Sequence, residues 1–103
     1  MTGFRVEDIA AHRLDEIYHY TADTWGEGQA ESYLRGLSDQ FEAISARRIP
    51  WRAIPSEFEV DGYVCRYEKH LIYWRLLRDG NVGIVTVLHE RMHQIDRVRD
   101  DFA

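Results

Sequence analysis

The sequence predicts an α+β fold, with a short N-terminal strand and an antiparallel helical hairpin packed on a small antiparallel sheet. Three observations carry this. Two apolar stripes of helical spacing follow one another across a short glycine-bearing link. Strand-like runs flank an Asp79-Gly80 pair. Helical and strand patterns are segregated along the chain, which argues against a wound parallel sheet.

Residues 4–6 read as an edge strand, and Asp8 as the N-cap of the first helix. Ala10, Leu14, Ile17, Tyr18 and Thr21 then recur at spacings of three and four, on one helical face. Trp25-Gly26 ends this helix, with the glycine suited to a left-handed cap. Ala30, Tyr33, Leu34, Leu37, Phe41 and Ile44 form the second stripe. The short link between the two helices makes them antiparallel neighbours. Arg47 and Arg48 close the second helix, where positive charge meets the negative end of its dipole.

Residues 49–61, IPWRAIPSEFEVD, hold both prolines and read as an irregular loop. Strands are expected over 63–67, 70–78 and 81–88, the last β-branched and central, with the hairpin at Asp79-Gly80. In the first of these, Tyr63, Cys65 and Tyr67 share one face, with Val64 and Arg66 on the other. Residues 90–102 read as short, charged and weakly amphipathic. A length of 103 residues fits one domain, 1–103, and is too short for two cores.

Composition narrows the function. The net charge of −5 is wrong for holding a phosphate backbone by bulk electrostatics. Lys69 is the only lysine, so positive charge is carried by arginine, which suits specific paired contacts. The single cysteine, Cys65, reads as a small buried apolar group and fits a reducing cytosol. No stretch has signal-peptide or membrane-span character, so a cytoplasmic protein without a membrane partner is expected.

The segment HERMH, residues 89–93, matches the zinc-protease pattern H-E-x-x-H. That chemistry needs both histidines on one helical turn, yet His89 ends the strand-like run VGIVTVL. Arg91 would sit beside the metal, and Asp96 and Arg99 occupy the positions of the glycine and third histidine in the extended motif. No metal and no other cofactor is expected.

Four stretches in order carry a family likeness. WGEGQAESYLRGL matches a W-G-x-x-Q-A-x-x-Y link between helices. YVCRYEKHLIYWRL is similar to an R-x-x-x-x-x-H-x-I-x-Y strand, and the hairpin follows it. VTVLHERMH looks like a closing I-x-x-I-L-H-x-R-M-D, with His93 in place of the usual aspartate. Over nearly its whole length the chain resembles the ParE branch of the RelE/ParE toxin superfamily, from bacterial type II toxin–antitoxin modules that include plasmid-stabilisation systems. In that resemblance HERMH is the family's L-H-x-R-M segment.

The resemblance implies a toxin that inhibits DNA gyrase and has no active site of its own. It also implies a ParD-type antitoxin that neutralises the toxin and co-represses the operon with it, touching operator DNA through the antitoxin. The alternative is a ribosome-dependent mRNA endonuclease of the RelE branch, for which Arg66, His89 and Arg91 would be the catalytic candidates. A toxin that has lost activity and only binds its antitoxin is the third possibility. The acidity and the scarcity of lysine favour gyrase over RNA.

His89, Arg91, Met92 and His93 are the expected target-binding residues, their other reading being a solvated chain end. Arg66, Tyr73, Trp51 and Arg52 are the expected antitoxin contacts. Arg66 reads equally as one member of a structural ion pair, and Trp51 as a plug at the core edge. Tyr73 and Trp74 face opposite sides of one strand, so one of them is expected in the core. Trp25, Tyr33 and Phe41 read as packing, and His12 and His19 as solvated surface.

Overall fold

The computed structural model describes residues 3–103. β1 (Phe4–Val6) leads into α1 (Asp8–Trp25), and α2 (Glu27–Ser45) follows after a single residue. That residue, Gly26, has φ 96°, and its N–H caps the Ala22 carbonyl at 2.9 Å. A side chain there would be strained, so glycine is what lets the two helices reverse with no loop between them.

The chain then forms β2 (Arg52–Ala53), a 3-10 turn (Ser56–Phe58), β3 (Tyr63–Tyr67), β4 (His70–Leu76), β5 (Val82–His89) and α3 (Gln94–Phe102). The sheet order is β1-β5-β4-β3-β2. β1 runs parallel to β5 and every other pairing is antiparallel, so the sheet is mixed.

Strand alternation gives the sheet two apolar faces. The helical hairpin covers one, with Ala10, Ile17, Leu37, Phe41 and Ile44 against Ile72, Trp74, Ile84 and Val87. On the other face Tyr73 and Leu88 pack with Ile54, Val98, Phe58 and Phe102. β5 lies between both layers, and Val82 through Leu88 are buried without a break. This is why its sequence is β-branched rather than alternating.

Several expectations change. Residues 49–61 are not wholly irregular, because Arg52 and Ala53 extend the sheet beyond β3. Within residues 90–102, read as short, charged and weakly amphipathic, Gln94–Phe102 folds as α3. Its buried side includes Asp101 beside Val98, so a core-facing charge breaks the apolar stripe that would have announced a helix. Arg13 of α1 donates to Asp101 at 3.1–3.3 Å, and the Thr86 hydroxyl adds a bond of 2.8 Å. Charge and hydroxyl thus dock α3 onto β5 and α1 together.

Asp8 is the first residue of α1 and not its cap. Glu7 holds the cap position with extended backbone, while its carboxylate receives Arg75 at 2.6 and 3.0 Å. The β4–β5 connection turns at Leu77–Asn81, with Gly80 at φ 86°. It is a longer loop than a two-residue Asp-Gly hairpin. A bulge at Val85 restores the register, so Trp74 pairs with Ile84 but Tyr73 with Thr86. Trp25, expected to pack in the core or the hairpin, is 71 % exposed. It continues the α1 stripe, but the hairpin tip overruns the sheet and finds nothing to cover it.

Candidate functional site

Tyr33 lies near the start of α2 and touches His70, the first residue of β4. The hairpin tip therefore extends roughly 10 Å of helix rise past that end of the sheet. β5 ends at the same place, since His70 is paired with His89. One end of the molecule thus gathers Trp25, Tyr33, Tyr67, His70 and the segment from His89 to His93.

Its half-buried floor is aromatic. The Tyr33 ring lies 5.5 Å from Tyr67 and 5.4 Å from His70, and the His70 and His89 rings meet edge-on at 5.2 Å. Burial, with the neighbouring His89 adding to it, pushes the His70 imidazole down to about 4. Burial also pushes the Tyr33 phenol up to about 12. At neutral pH both groups are uncharged, and the Tyr33 hydroxyl and His70 Nδ1 share a hydrogen bond of 2.6 Å whose direction follows the imidazole tautomer. A half-buried imidazole that is neutral and already hydrogen-bonded at Nδ1 is a fixed part of the floor.

The HERMH segment is a strand end and a turn. His89 closes β5, its Nδ1 accepts the Arg91 N–H at 3.1 Å, and the Met92 N–H bonds the His89 carbonyl at 3.0 Å. His93 precedes α3, is exposed, and pairs with Asp96 at 3.1 Å. The two histidines are not stacked on one helical turn. Among the described residues no group of three or more His, Cys, Asp or Glu side chains is placed to hold a metal ion.

Gln94 sets the shape of this turn. Its amide N–H₂ donates to the carbonyls of His89 and Met92 at 2.8 and 2.9 Å. Its amide oxygen accepts the Tyr73 hydroxyl at 2.7 Å. The first residue of α3 therefore ties the tail to the sheet. Arg91 is left exposed above it, while Met92 packs half-buried against the second core.

The expected residues divide. His89, Arg91, Met92 and His93 are contiguous at this end and only Met92 is drawn into a core. Arg66 belongs to the opposite face of the sheet, in register with Leu71 and Leu88 rather than with His70 and His89. It bonds Glu90 at 2.6 Å, and this hydrogen bond holds the Glu90 carboxyl below its usual range. Arg66 and His89 therefore do not converge on one point as a nuclease set would require.

Tyr73 is 2 % exposed and no surface contact, against expectation: both it and Trp74 are core, one on each face. Trp51 is committed to packing. Its indole N–H donates to the Ile44 carbonyl at 2.9 Å, Arg47 lies 3.4 Å over the ring, and Tyr63 and Trp74 pack on it. Arg52 and Arg66 remain exposed. Sequence reading passed over His70, Tyr67 and Gln94. The hairpin offered a signal for His70, since strands folded about Asp79-Gly80 bring it opposite His89.

Comparison with known proteins bears on the family and the fold. A family profile described as "ParE toxin of type II toxin-antitoxin system, parDE" matches residues 4–94. The chain is 34 % identical over 94 residues to Toxin ParE1 of Mycobacterium tuberculosis, covering 91 % of this chain and 94 % of that protein. It is 32 % identical to Toxin ParE1 of Caulobacter vibrioides, covering 90 % and 94 %. Toxin ParE of Escherichia coli is 30 % identical over 101 residues, covering 97 % and 96 %. The fold is similar to a solved structure titled "Chromosomal ParDE TA system from P. aeruginosa", with a TM-score of 0.68 and 17 % identity, over 86 % of this chain and 96 % of that one. The chain belongs to the ParE family, the toxins of type II toxin–antitoxin systems.

Proposed function

We propose that this toxin acts by binding DNA gyrase, that a ParD-type antitoxin neutralises it in the cytoplasm, and that the two proteins co-repress their operon with operator DNA held by the antitoxin. The observation that carries the binding reading is the separation of Arg66 from His89 on opposite faces of the sheet, with His70 half-buried and already hydrogen-bonded to Tyr33. Cleavage of RNA by its own 2′-hydroxyl needs a base, an acid and a cation converging on one phosphate. Arg66 lies on the other face of the sheet from His89, and it is already hydrogen-bonded to Glu90.

Binding asks for something else, namely a fixed shape with exposed side chains at its centre. The tail supplies Arg91 and His93 on a turn fixed by Gln94, with the exposed Trp25 at the same end. No helix among the described residues is long and apolar enough to cross a membrane.

The test is expression of the toxin alone in bacteria carrying a DNA-damage reporter, with viable counts and transcript integrity read from one culture. Lost viability with the reporter on and transcripts intact supports gyrase. Cut transcripts with a silent reporter would establish the endonuclease reading instead. Unimpaired growth would leave only the antitoxin-binding role.

A further inference from the structure

We infer that Tyr73 is a positioning residue for target binding: from inside the second core, its hydroxyl orients the Gln94 amide, which fixes the turn that presents Arg91. This rests on the target-binding reading above and names what holds that surface in shape.

Arg91 is the member of the tail left uncommitted. His89 Nδ1 accepts the Arg91 N–H, and the Glu90 carboxylate holds Arg66. His93 pairs with Asp96, and Met92 packs against the second core. The Arg91 guanidinium has no partner among the described residues. A long cation on a loose chain end loses much of its binding energy to ordering, whereas one carried on a fixed turn loses less.

The turn is fixed at both ends. Met92 N–H bonds the His89 carbonyl at 3.0 Å, which closes the backbone around Glu90 and Arg91. Gln94 then donates to the carbonyls of His89 and Met92 at 2.8 and 2.9 Å, one on each side of that pair. Carbonyl oxygens only accept, so they face the amide nitrogen, and the amide oxygen is turned inward. There it accepts the Tyr73 hydroxyl at 2.7 Å. Burial pushes this phenol up to about 12, so it stays a donor across the physiological pH range.

Packing does not account for the hydroxyl. The Tyr73 ring lies among Ile54, Leu88 and Val98, with the Phe58 ring 6.4 Å away, surroundings that a phenylalanine would fill as well. A buried hydroxyl is costly unless bonded, and the bond it makes is to Gln94. Water can serve the half-buried Gln94 oxygen in its place, but a mobile water does not hold the amide's orientation.

The full-length chain is compared as wild type, Tyr73→Phe, Gln94→Ala and Arg91→Ala, and as the doubles Tyr73→Phe/Gln94→Ala and Tyr73→Phe/Arg91→Ala. One readout is affinity for the DNA gyrase holoenzyme with plasmid DNA. The other is potency, the measured cellular level of toxin that halves viable counts, which does not depend on what the target is. Tyr73→Phe should weaken both by roughly two- to ten-fold, the effect of one ordinary hydrogen bond, and Gln94→Ala by at least as much. Amide exchange at Met92 should quicken in both variants, with the circular dichroism spectrum unchanged. In either double variant Tyr73→Phe should add no further loss, because its effect runs through Gln94 to Arg91.

An equal loss from Tyr73→Phe in the Arg91→Ala background would overturn the proposal, since a general weakening of the fold does not depend on Arg91. Full potency in Tyr73→Phe, or in Arg91→Ala, would overturn it too. A wild-type toxin that kills without binding gyrase would remove the gyrase reading alone, and potency would still decide the role of Tyr73. A wild-type toxin that neither kills nor binds gyrase would overturn both.

Discussion

Replacing Asp101 by alanine tests how α3 is held. The Asp101 side chain is 6 % exposed and that of Arg13 is 15 % exposed, so the pair is largely removed from water. Asp101→Ala deletes the carboxylate that accepts three contacts from Arg13 at 3.1–3.3 Å and one from Thr86 at 2.8 Å. What remains is a guanidinium with little water, held only by the longer 3.5 Å pair to the half-exposed Glu16, and a buried hydroxyl without its acceptor. Breaking a buried pair by removing one partner costs about 3–5 kcal/mol, and the stranded hydroxyl falls within that range. Against a total stability of roughly 5–15 kcal/mol this is a large fraction. Urea unfolding followed by circular dichroism, with exchange protection across α3, measures it. The double variant Arg13→Met/Asp101→Leu should recover most of the loss, since an apolar pair of similar volume is often neutral or better than a buried ion pair. A loss below about 1 kcal/mol in Asp101→Ala would refute the reasoning, and show that α3 is held by Val98 and Phe102 without the charge.

Other expected outcomes follow from the same contacts. His70 binds a proton near its ordinary value when unfolded but only near 4 when folded, so its stabilising contribution is complete above about pH 6.5 and is lost as pH falls toward 4. Screening at this half-buried site limits the effect to about 1–2 kcal/mol, and a His70→Gln variant should flatten stability-versus-pH curves over that window. Gln94→Ala removes two bonds to the tail carbonyls and one from Tyr73, so it should lower stability by about 1–3 kcal/mol and speed amide exchange at Met92. Trp25→Ser should change the unfolding free energy by less than about 0.5 kcal/mol, because the ring is already 71 % exposed. A matching loss of toxicity in that variant would then report target contact rather than misfolding. Gly80→Ala, at φ 86°, should cost about 1 kcal/mol through backbone strain in the turn.

Regular periodicity was what made parts of this fold legible. α1 and α2 follow from apolar stripes at helical spacing, and β3 and β5 from alternation and a β-branched run. Features decided by distant partners were not legible. Asp101 hides the buried side of α3 because one-dimensional reading counts a charge as solvent-facing, whereas Arg13, 88 residues away, neutralises it. β2 is two residues long in a segment with two prolines, too short for any alternation to appear. Trp25 sits on the correct stripe for burial, and only the length of the hairpin relative to the sheet exposes it. Tyr73 looked available because strand alternation cannot say whether a second layer, here α3 and the 3-10 turn, covers the other face. The tail residues His89 to His93 were placed together by simple contiguity. The aromatic floor beneath His89 depended on a helix contact from Tyr33 that nothing local announces, and only the pairing of His70 with His89 could be read from the hairpin.

Arg66 stands beside the tail, because its guanidinium bonds Glu90, the neighbour of His89 and Arg91. Such a link invites an account in which a partner that engages Arg66 disarms the toxin by pulling on the tail. The magnitudes argue otherwise. The Arg66–Glu90 pair is exposed on both sides, and such pairs contribute little. The tail is fixed more firmly by Gln94, whose three bonds reach His89, Met92 and Tyr73 and do not involve Arg66. Releasing Glu90 would leave the tail in place, and a ligand shifts an equilibrium only by its differential affinity for the two states. Arg66→Ala should therefore leave amide exchange at Met92 unchanged, whereas Gln94→Ala should speed it.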